Sequence, residues 1–297
     1  MSRNRQALTI LWLTLLLTAG FALLVRVTAW RAELAETSFQ HNLIRLQDFF
    51  FDAPPRAVLV GSSLSGRLLA SYFDGTPLAP VANLGLDSSA PAFGLEVVLE
   101  RPPPVVIIEE NLMLNPPNRN EDEMVDAMQG IRFHSARYLP ALRANARPSS
   151  LLYSWAKSRR TRTANLSPRS VPDGATTNAP ATPAPALSSS TGIPAVEAKL
   201  RAQIKALQDR GCRIVLVRLP SSHGVAWYKP EFALGEVLKR ELNLTEIELA
   251  RECSRRGYVM KYTDDRDHLA PAAAREAAQV LAELVAGSQT GNSGRAP

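Results

Sequence analysis

The sequence predicts an α/β fold: a three-layer α/β/α domain on a mostly parallel five-stranded sheet, preceded by one N-terminal transmembrane helix. Three observations predict it. Short β-branched apolar runs such as Val58-Leu59-Val60, Val105-Val106-Ile107-Ile108 and Ile214-Val215-Leu216-Val217 alternate with stretches whose apolar residues recur at helical spacing, the pattern of buried parallel strands joined by crossover helices. A run of nineteen residues, Ala7–Val25, carries no charge. Hydrophobic residues make up 45% of the 297 and charged residues 21%, enough to bury a sizeable core and to exclude global disorder.

The apolar run comes first. At ~1.5 Å rise per residue it nearly matches a hydrocarbon core of roughly 30 Å. Arg3 and Arg5 precede it and Arg26 and Arg31 follow it, a balance that mildly favours a cytoplasmic N-terminus. Two readings fit, an uncleaved anchor in residues 1–30 and a secretory signal peptide. The run exceeds the usual ~7–15-residue signal core and no convincing A-x-A site follows, which favours the anchor. Either way the rest of the chain is exported, with Trp30 at the membrane interface. The expectation is a single-pass bacterial inner-membrane protein with a periplasmic C-terminal domain.

Residues 31–55 predict a membrane-proximal helix, from the apolar spacing in Glu33–Phe51. The α/β domain follows as residues 56–286. Its strands are expected at Arg56–Val60, Pro80–Leu84, Val105–Ile108, Arg213–Arg218 and Tyr258–Tyr262. Its helices are expected at Ser65–Tyr72, Phe93–Arg101, Ala195–Arg210, Glu231–Arg256 and Pro271–Ala286. An insertion, 115–194, interrupts it, with helical stretches at Glu121–Gly130 and Ser135–Asn145. Residues 166–193 are Pro/Ser/Thr-rich and cannot bury a core, so they are expected to be disordered, as is the tail 287–297.

The net charge of +6 is spread thinly. Its one dense run, Lys157, Arg159, Arg160 and Arg162, adjoins the Pro/Ser/Thr-rich stretch and reads as a solvated linker flank rather than a binding patch, so nucleic acid is not expected as a partner. Cys212 and Cys253 lie too far apart for a zinc ribbon or a CxxC motif. An oxidising compartment permits a disulfide between them, and two reduced, buried thiols fit as well. The four histidines are scattered, and no HExxH, GxxxxGK[ST] or GxGxxG occurs. No metal or cofactor is expected.

Open parallel sheets bind ligands outside the carboxyl ends of their strands, which makes the residues after each strand informative. Gly61-Ser62-Ser63-Leu64 follows the first, where a serine is either a helix cap or a nucleophile. Asn83-Leu84-Gly85 follows the second, where glycine serves a turn or lets backbone N–H groups approach a substrate oxygen. Glu109-Glu110-Asn111 follows the third, bringing a side-chain amide to the same edge. Asp264-Asp265-Arg266-Asp267-His268 follows the fifth, where Asp265 can hold the His268 ring in one tautomer or merely cap the last helix. His223, after the fourth strand, is the only other histidine placed to act as a base, and Asp267 is an alternative partner for His268. Glu109 and Glu110 could bind a hydroxyl or a cation, but read rather as a solvated strand end. A serine, two amide donors and an Asp-x-x-His on one sheet edge together favour a catalytic set over coincidence.

These residues, in this order, resemble the SGNH, or GDSL-type, esterase superfamily. Gly61-Ser62-Ser63 is similar to its Gly-Asp-Ser block with serine in place of aspartate, Asn83-Leu84-Gly85 to its second block (with Ser88 where a further glycine is common), Asn111 to the asparagine of its Gly-x-Asn-Asp block, and Asp265-Arg266-Asp267-His268 to its closing Asp-x-x-His. The resemblance spans roughly residues 56–115 and 195–286. It implies Ser63 as nucleophile, His268 as base, Asp265 as its orienting carboxylate, and Gly85 and Asn111 as oxyanion donors. With its anchor, the chain looks most like the SGNH-like proteins of bacterial cell-surface polymer modification, such as those of alginate O-acetylation. That implies an O-acetyltransferase or esterase acting on exported polysaccharide, with a membrane-bound acyltransferase as partner, or an inactive module that binds polysaccharide or that partner. Gly61-x-Ser63-x-Ser65 lacks the Gly-x-Ser-x-Gly elbow of the α/β-hydrolases.

Overall fold

The computed structural model describes residues 3–28, 31–166, 193–222, 225–263 and 268–290. In chain order the elements are α1 (Arg3–Thr28), α2 (Ser38–Phe51), β1 (Ala57–Gly61), β2 (Val81–Gly85), α3 (Pro91–Glu100), β3 (Val105–Glu109), α4 (Arg119–Gln129), α5 (Ile131–Ala136), α6 (Pro148–Leu166), α7 (Ile193–Asp209), β4 (Arg213–Arg218), α8 (Lys229–Leu242), β5 (Thr245–Glu248), α9 (Leu249–Arg255) and α10 (Pro271–Thr290). They cluster into two compact units, Met1–Gln47 with Glu123–Pro172, and Asp48–Asp122 with Asp173–Pro297.

The second unit is the α/β domain. Its five strands pair in parallel throughout, in the order β2-β1-β3-β4-β5. Because successive strand residues point to opposite faces, Leu59, Ile107, Val215 and Val217 join one core cluster with α9 and α10 through Leu249, Cys253, Ala274, Ala278 and Leu281. Val60 faces the other way, toward Gly94 of α3. There α3 packs against β1 and β2, and α7 packs against β4. α7 turns Leu200, Ile204 and Leu207 inward at spacings of four and three, the stripe a sheet-covering helix needs. The expected layered α/β class and parallel sheet are the ones observed.

Two local expectations fail. The fifth strand is Thr245–Glu248, not Tyr258–Tyr262. Asn243 adopts a left-handed φ of 51° and closes α8 at Leu242, as asparagine can at a helix C-terminus, so the helix expected through Arg256 breaks in two around β5. Tyr258–Tyr262 stays outside the sheet and contributes one antiparallel bridge, Tyr262 to Leu269. The helix expected at Ser65–Tyr72 is instead two short helical turns, Ser65–Arg67 and Ala70–Phe73.

The first unit holds α1. Residues Asn4–Thr28 form a helix long and apolar enough to cross a membrane. The unit also contains α5, α6 and the turns between them, so the described part of 115–194 is largely helical. Of the stretches expected to be disordered, 166–193 and 287–297, residues 167–192 and 291–297 lie outside the described residues, as does Trp30. Leu166 and Ile193 belong to α6 and α7, and residues 287–290 continue α10 past its expected end at Ala286.

Candidate active site

In the order β2-β1-β3-β4-β5, the chain leaves β1 toward one side for β2 and crosses to the other side for β3. The crevice of such a sheet opens where this reversal occurs, at the carboxyl ends of β1 and β3. Ser62 and Ser63 follow β1, and Glu109 ends β3.

The turn after β1 is built around Glu109. This side chain is fully buried. It accepts hydrogen bonds from the Ser62 N–H at 2.9 Å, the Ser62 hydroxyl at 2.7 Å and the Ser65 N–H at 3.1 Å. Burial raises its pKa, and the Ser62 and Ser65 hydrogen bonds pull against that rise. The Ser62 hydroxyl also accepts the Leu64 N–H at 3.2 Å, and the Ser65 hydroxyl donates to the Ser62 carbonyl at 2.9 Å. Ser62 is thereby consumed by the turn. Ser63, one residue on, points its hydroxyl elsewhere.

Its counterpart is His268. The His268 Nε2 lies 3.0 Å from the Ser63 Oγ, across 205 positions of sequence. The ring is delivered by a clamp just before α10. The Thr263 N–H donates to the His268 carbonyl at 2.8 Å, the Thr263 hydroxyl donates to the same oxygen at 3.1 Å, and the Ala270 N–H donates to the Lys261 carbonyl at 2.8 Å. Lys261, expected inside a strand, instead holds one side of this clamp together with Thr263. Asp265, Asp267 and His223 lie outside the described residues.

The two expected oxyanion donors sit at the expected strand ends but have other partners. The Gly85 N–H donates to the Asn83 Oδ1 at 2.6 Å, while the Asn83 amide donates to the Ser65 and Leu68 carbonyls at 3.0 and 2.6 Å. A Cβ on Gly85 would collide with the Gly66 N and the Ser65 side chain. The glycine therefore lets the serine turn itself approach β2. Asn111 is buried and doubly paired to one residue: its amide donates to the Leu219 carbonyl at 3.1 Å and its Oδ1 accepts the Leu219 N–H at 2.8 Å. It ties the end of β3 to the end of β4.

Glu110, expected in solvent with Glu109, is also fully buried. The Arg218 Nε donates to its Oε2 at 2.8 Å, and Arg218 further pairs with Glu236 at 3.0 Å and Glu246 at 2.6 Å. Desolvation raises Glu110 to about 7, against the pull of Arg218. A cleft of about 100 Å³ opens beside this network, lined by Asn111, Arg218, Ser221, Tyr228, Phe232 and Glu248 among others.

Cys212 and Cys253 are free, buried thiols, and burial pushes Cys253 up to about 11. Among the described residues no group of three His, Cys, Asp or Glu side chains is placed to hold a metal ion.

Sequence reasoning missed Glu109. The available signal was an acidic residue closing a strand that is otherwise Val-Val-Ile-Ile, at the strand adjacent to the serine turn. No protein-family model matches the chain, and no curated protein matches it.

Proposed function

We propose that the chain is a membrane-anchored, SGNH-like serine acyl-ester enzyme, an esterase or O-acyltransferase whose substrate is a cell-surface or exported polysaccharide. The observation that carries the chemistry is the 3.0 Å approach of the His268 Nε2 to the Ser63 Oγ at the sheet's switch point, within the ~2.6–3.2 Å a nucleophile and its base require. In the base-competent tautomer the Ser63 hydroxyl donates to the Nε2. Ser63 attacks the carbonyl carbon of an ester or thioester as His268 takes its proton. The bond to the leaving group then breaks, that group receives the proton, and an acyl-Ser63 remains. Water or a sugar hydroxyl, deprotonated by His268, attacks this acyl group, the bond from the acyl carbon to the Ser63 Oγ breaks, and His268 returns the proton to Ser63. The resemblance gives Asp265, which lies outside the described residues, the role of orienting the His268 ring. The Ser63 N–H, for which no hydrogen bond is seen among the described residues, is a candidate backbone donor for the developing oxyanion.

The apolar length of α1 supports a membrane anchor, and the arginines that flank it mildly favour a cytoplasmic N-terminus, hence a periplasmic domain. A membrane-bound acyltransferase fits as donor partner, an extension that rests on likeness to SGNH-like proteins.

A second reading, a non-catalytic module that binds polysaccharide or that acyltransferase, draws on the Gly85 and Asn111 amides being committed elsewhere. Turnover of p-nitrophenyl acetate by the full-length protein in detergent separates the two. Catalysis predicts that Ser63→Ala and His268→Ala each lower turnover by about a thousandfold or more. It also predicts that a fluorophosphonate labels Ser63 in the wild type and not in His268→Ala. Turnover that survives both substitutions, or absent turnover with polysaccharide binding unchanged in both, rejects the enzyme.

A further inference from the structure

We infer that the surface formed by residues 131–157 lies on the headgroup layer of an anionic lipid bilayer, beside the exit of α1. The inference rests on the reading that α1 spans the membrane.

Position comes first. Within α1, burial is confined to the last two turns, at Phe21, Ala22 and Val25, and the rest of the described helix is exposed. α1 packs against the helical turn Pro140–Leu142, and just past its end the Ala32 N–H donates to the Asn145 carbonyl at 2.8 Å. From Phe21 to Thr28 a helix rises roughly 10 Å. That matches the ~5–10 Å depth at which interfacial segments sit below the membrane surface.

The chemistry of the surface agrees. Outside α1, ten large hydrophobic side chains are exposed among the described residues, and eight of them fall between Val125 and Trp155. They include Ile131 at 85%, Tyr138 at 78%, Leu152 at 63% and Trp155 at 48% exposure. Scattered apolar residues need no explanation, but a concentration of this kind marks an interaction surface. Tyr138, Tyr153 and Trp155 are the residue types that populate membrane interfaces. The Lys157 ammonium stands over the Tyr153 ring, 5.7 Å from its centre.

Charge selects the lipid. From 131 to 166 the chain has eight Lys and Arg and no Asp or Glu, against a whole-chain excess of +6. The segment thus carries more positive charge than the entire protein nets. Juxtamembrane basic clusters are attracted to anionic headgroups by about 1 kcal/mol per charge.

Nitroxide depth measurement on the full-length protein in lipid nanodiscs tests the inference. The native cysteines are buried, so a label introduced at Tyr138→Cys is selective, with Leu16→Cys reporting on α1. In phosphatidylglycerol-containing discs the oxygen-to-nickel-chelate collision ratio at 138 should rise several-fold above that of the free aqueous label. It should fall toward the aqueous value in purely phosphatidylcholine discs. A label at 138 that stays aqueous in both discs while the label at 16 is immersed overturns the inference and leaves the anchor standing. Aqueous values at both positions overturn the anchor reading itself. Immersion at 138 only with dipolar broadening between two chains in one disc identifies a second copy as the occupant and also overturns the inference.

Discussion

Glu109 and Glu110 are consecutive, both fully buried, and held in opposite ways. Glu109 faces three neutral donors from Ser62 and Ser65, and its carboxylate shapes the turn that presents Ser63. Glu110 faces a guanidinium in a network of β3, β4, β5 and α8, with Phe232 stacked under Arg218 at 4.7 Å. The period of two along a strand sends adjacent side chains to opposite faces, so one residue step separates a carboxylate serving the candidate chemistry from one serving the sheet. The difference teaches that burial of an acid does not identify a functional site. The partners do, because a carboxylate surrounded by neutral hydroxyl and amide groups fixes geometry that a long, ion-paired side chain does not.

If the two carboxylates differ in this way, removing Glu109 has the larger effect. Glu109→Ala leaves the Ser62 and Ser65 N–H groups buried without acceptors, at about 1–3 kcal/mol each. Urea denaturation of the full-length protein should register a loss of about 3–5 kcal/mol. Glu109→Gln restores an acceptor and should recover half or more of the stability. Its turnover of p-nitrophenyl acetate should remain at least about tenfold below wild type, because the turn that aims Ser63 has moved. Equal turnover in Glu109→Gln and wild type breaks the comparison.

Glu110 should act through stability and pH. Its pKa in the folded chain, raised to about 7 by desolvation, exceeds its unfolded value near 4.5. The folded state therefore holds a proton that the unfolded state has released, and stability falls as pH rises from about 4.5 to about 7, then levels. Glu110→Gln should remove that pH dependence, roughly 3 kcal/mol across the window, and leave turnover at fixed pH within about twofold of wild type. Stability curves of the two proteins at a series of pH values check the first part. Parallel curves would mean that Glu110 is ionised throughout.

The legible part of this molecule was what apolar runs and strand ends carry. Val58–Val60, Val105–Ile108 and Ile214–Val217 are buried on both faces, and that requirement writes itself as uninterrupted β-branched sequence. Ser63 and His268 were legible as positions, because an open sheet places its chemistry after its strands. The edge strand was not. Thr245–Glu248 needs only one covered face, and its Glu246 is satisfied by Arg218 and Lys239 from other elements, so Thr-Glu-Ile-Glu reads locally like the helix on either side of it. Conversely, Tyr258–Tyr262 has strand-forming residues, yet among the described residues it pairs only through the Tyr262–Leu269 bridge. The roles of Gly85 and Asn111 were hidden for a related reason. A free amide and one paired to Leu219, 108 residues away, are the same letter in a sequence.

The smallest expected effect sharpens the Glu109 half of the comparison. Ser62 and Glu109 share one buried, hydrogen-bonded site, and its carboxylate comes from the strand rather than from the turn. Ser62→Asp alone places a second acid against Glu109, and like charges in a buried site oppose each other. Glu109→Gly alone empties the site. The double substitution Ser62→Asp/Glu109→Gly returns one carboxylate to the same space from the other side. A double-mutant cycle on urea stability should therefore give a favourable coupling of about 1–2 kcal/mol, since contacting residues in one hydrogen-bond network do not add. Purely additive losses would mean that Glu109 is held by its burial alone and that Ser62 is an incidental neighbour.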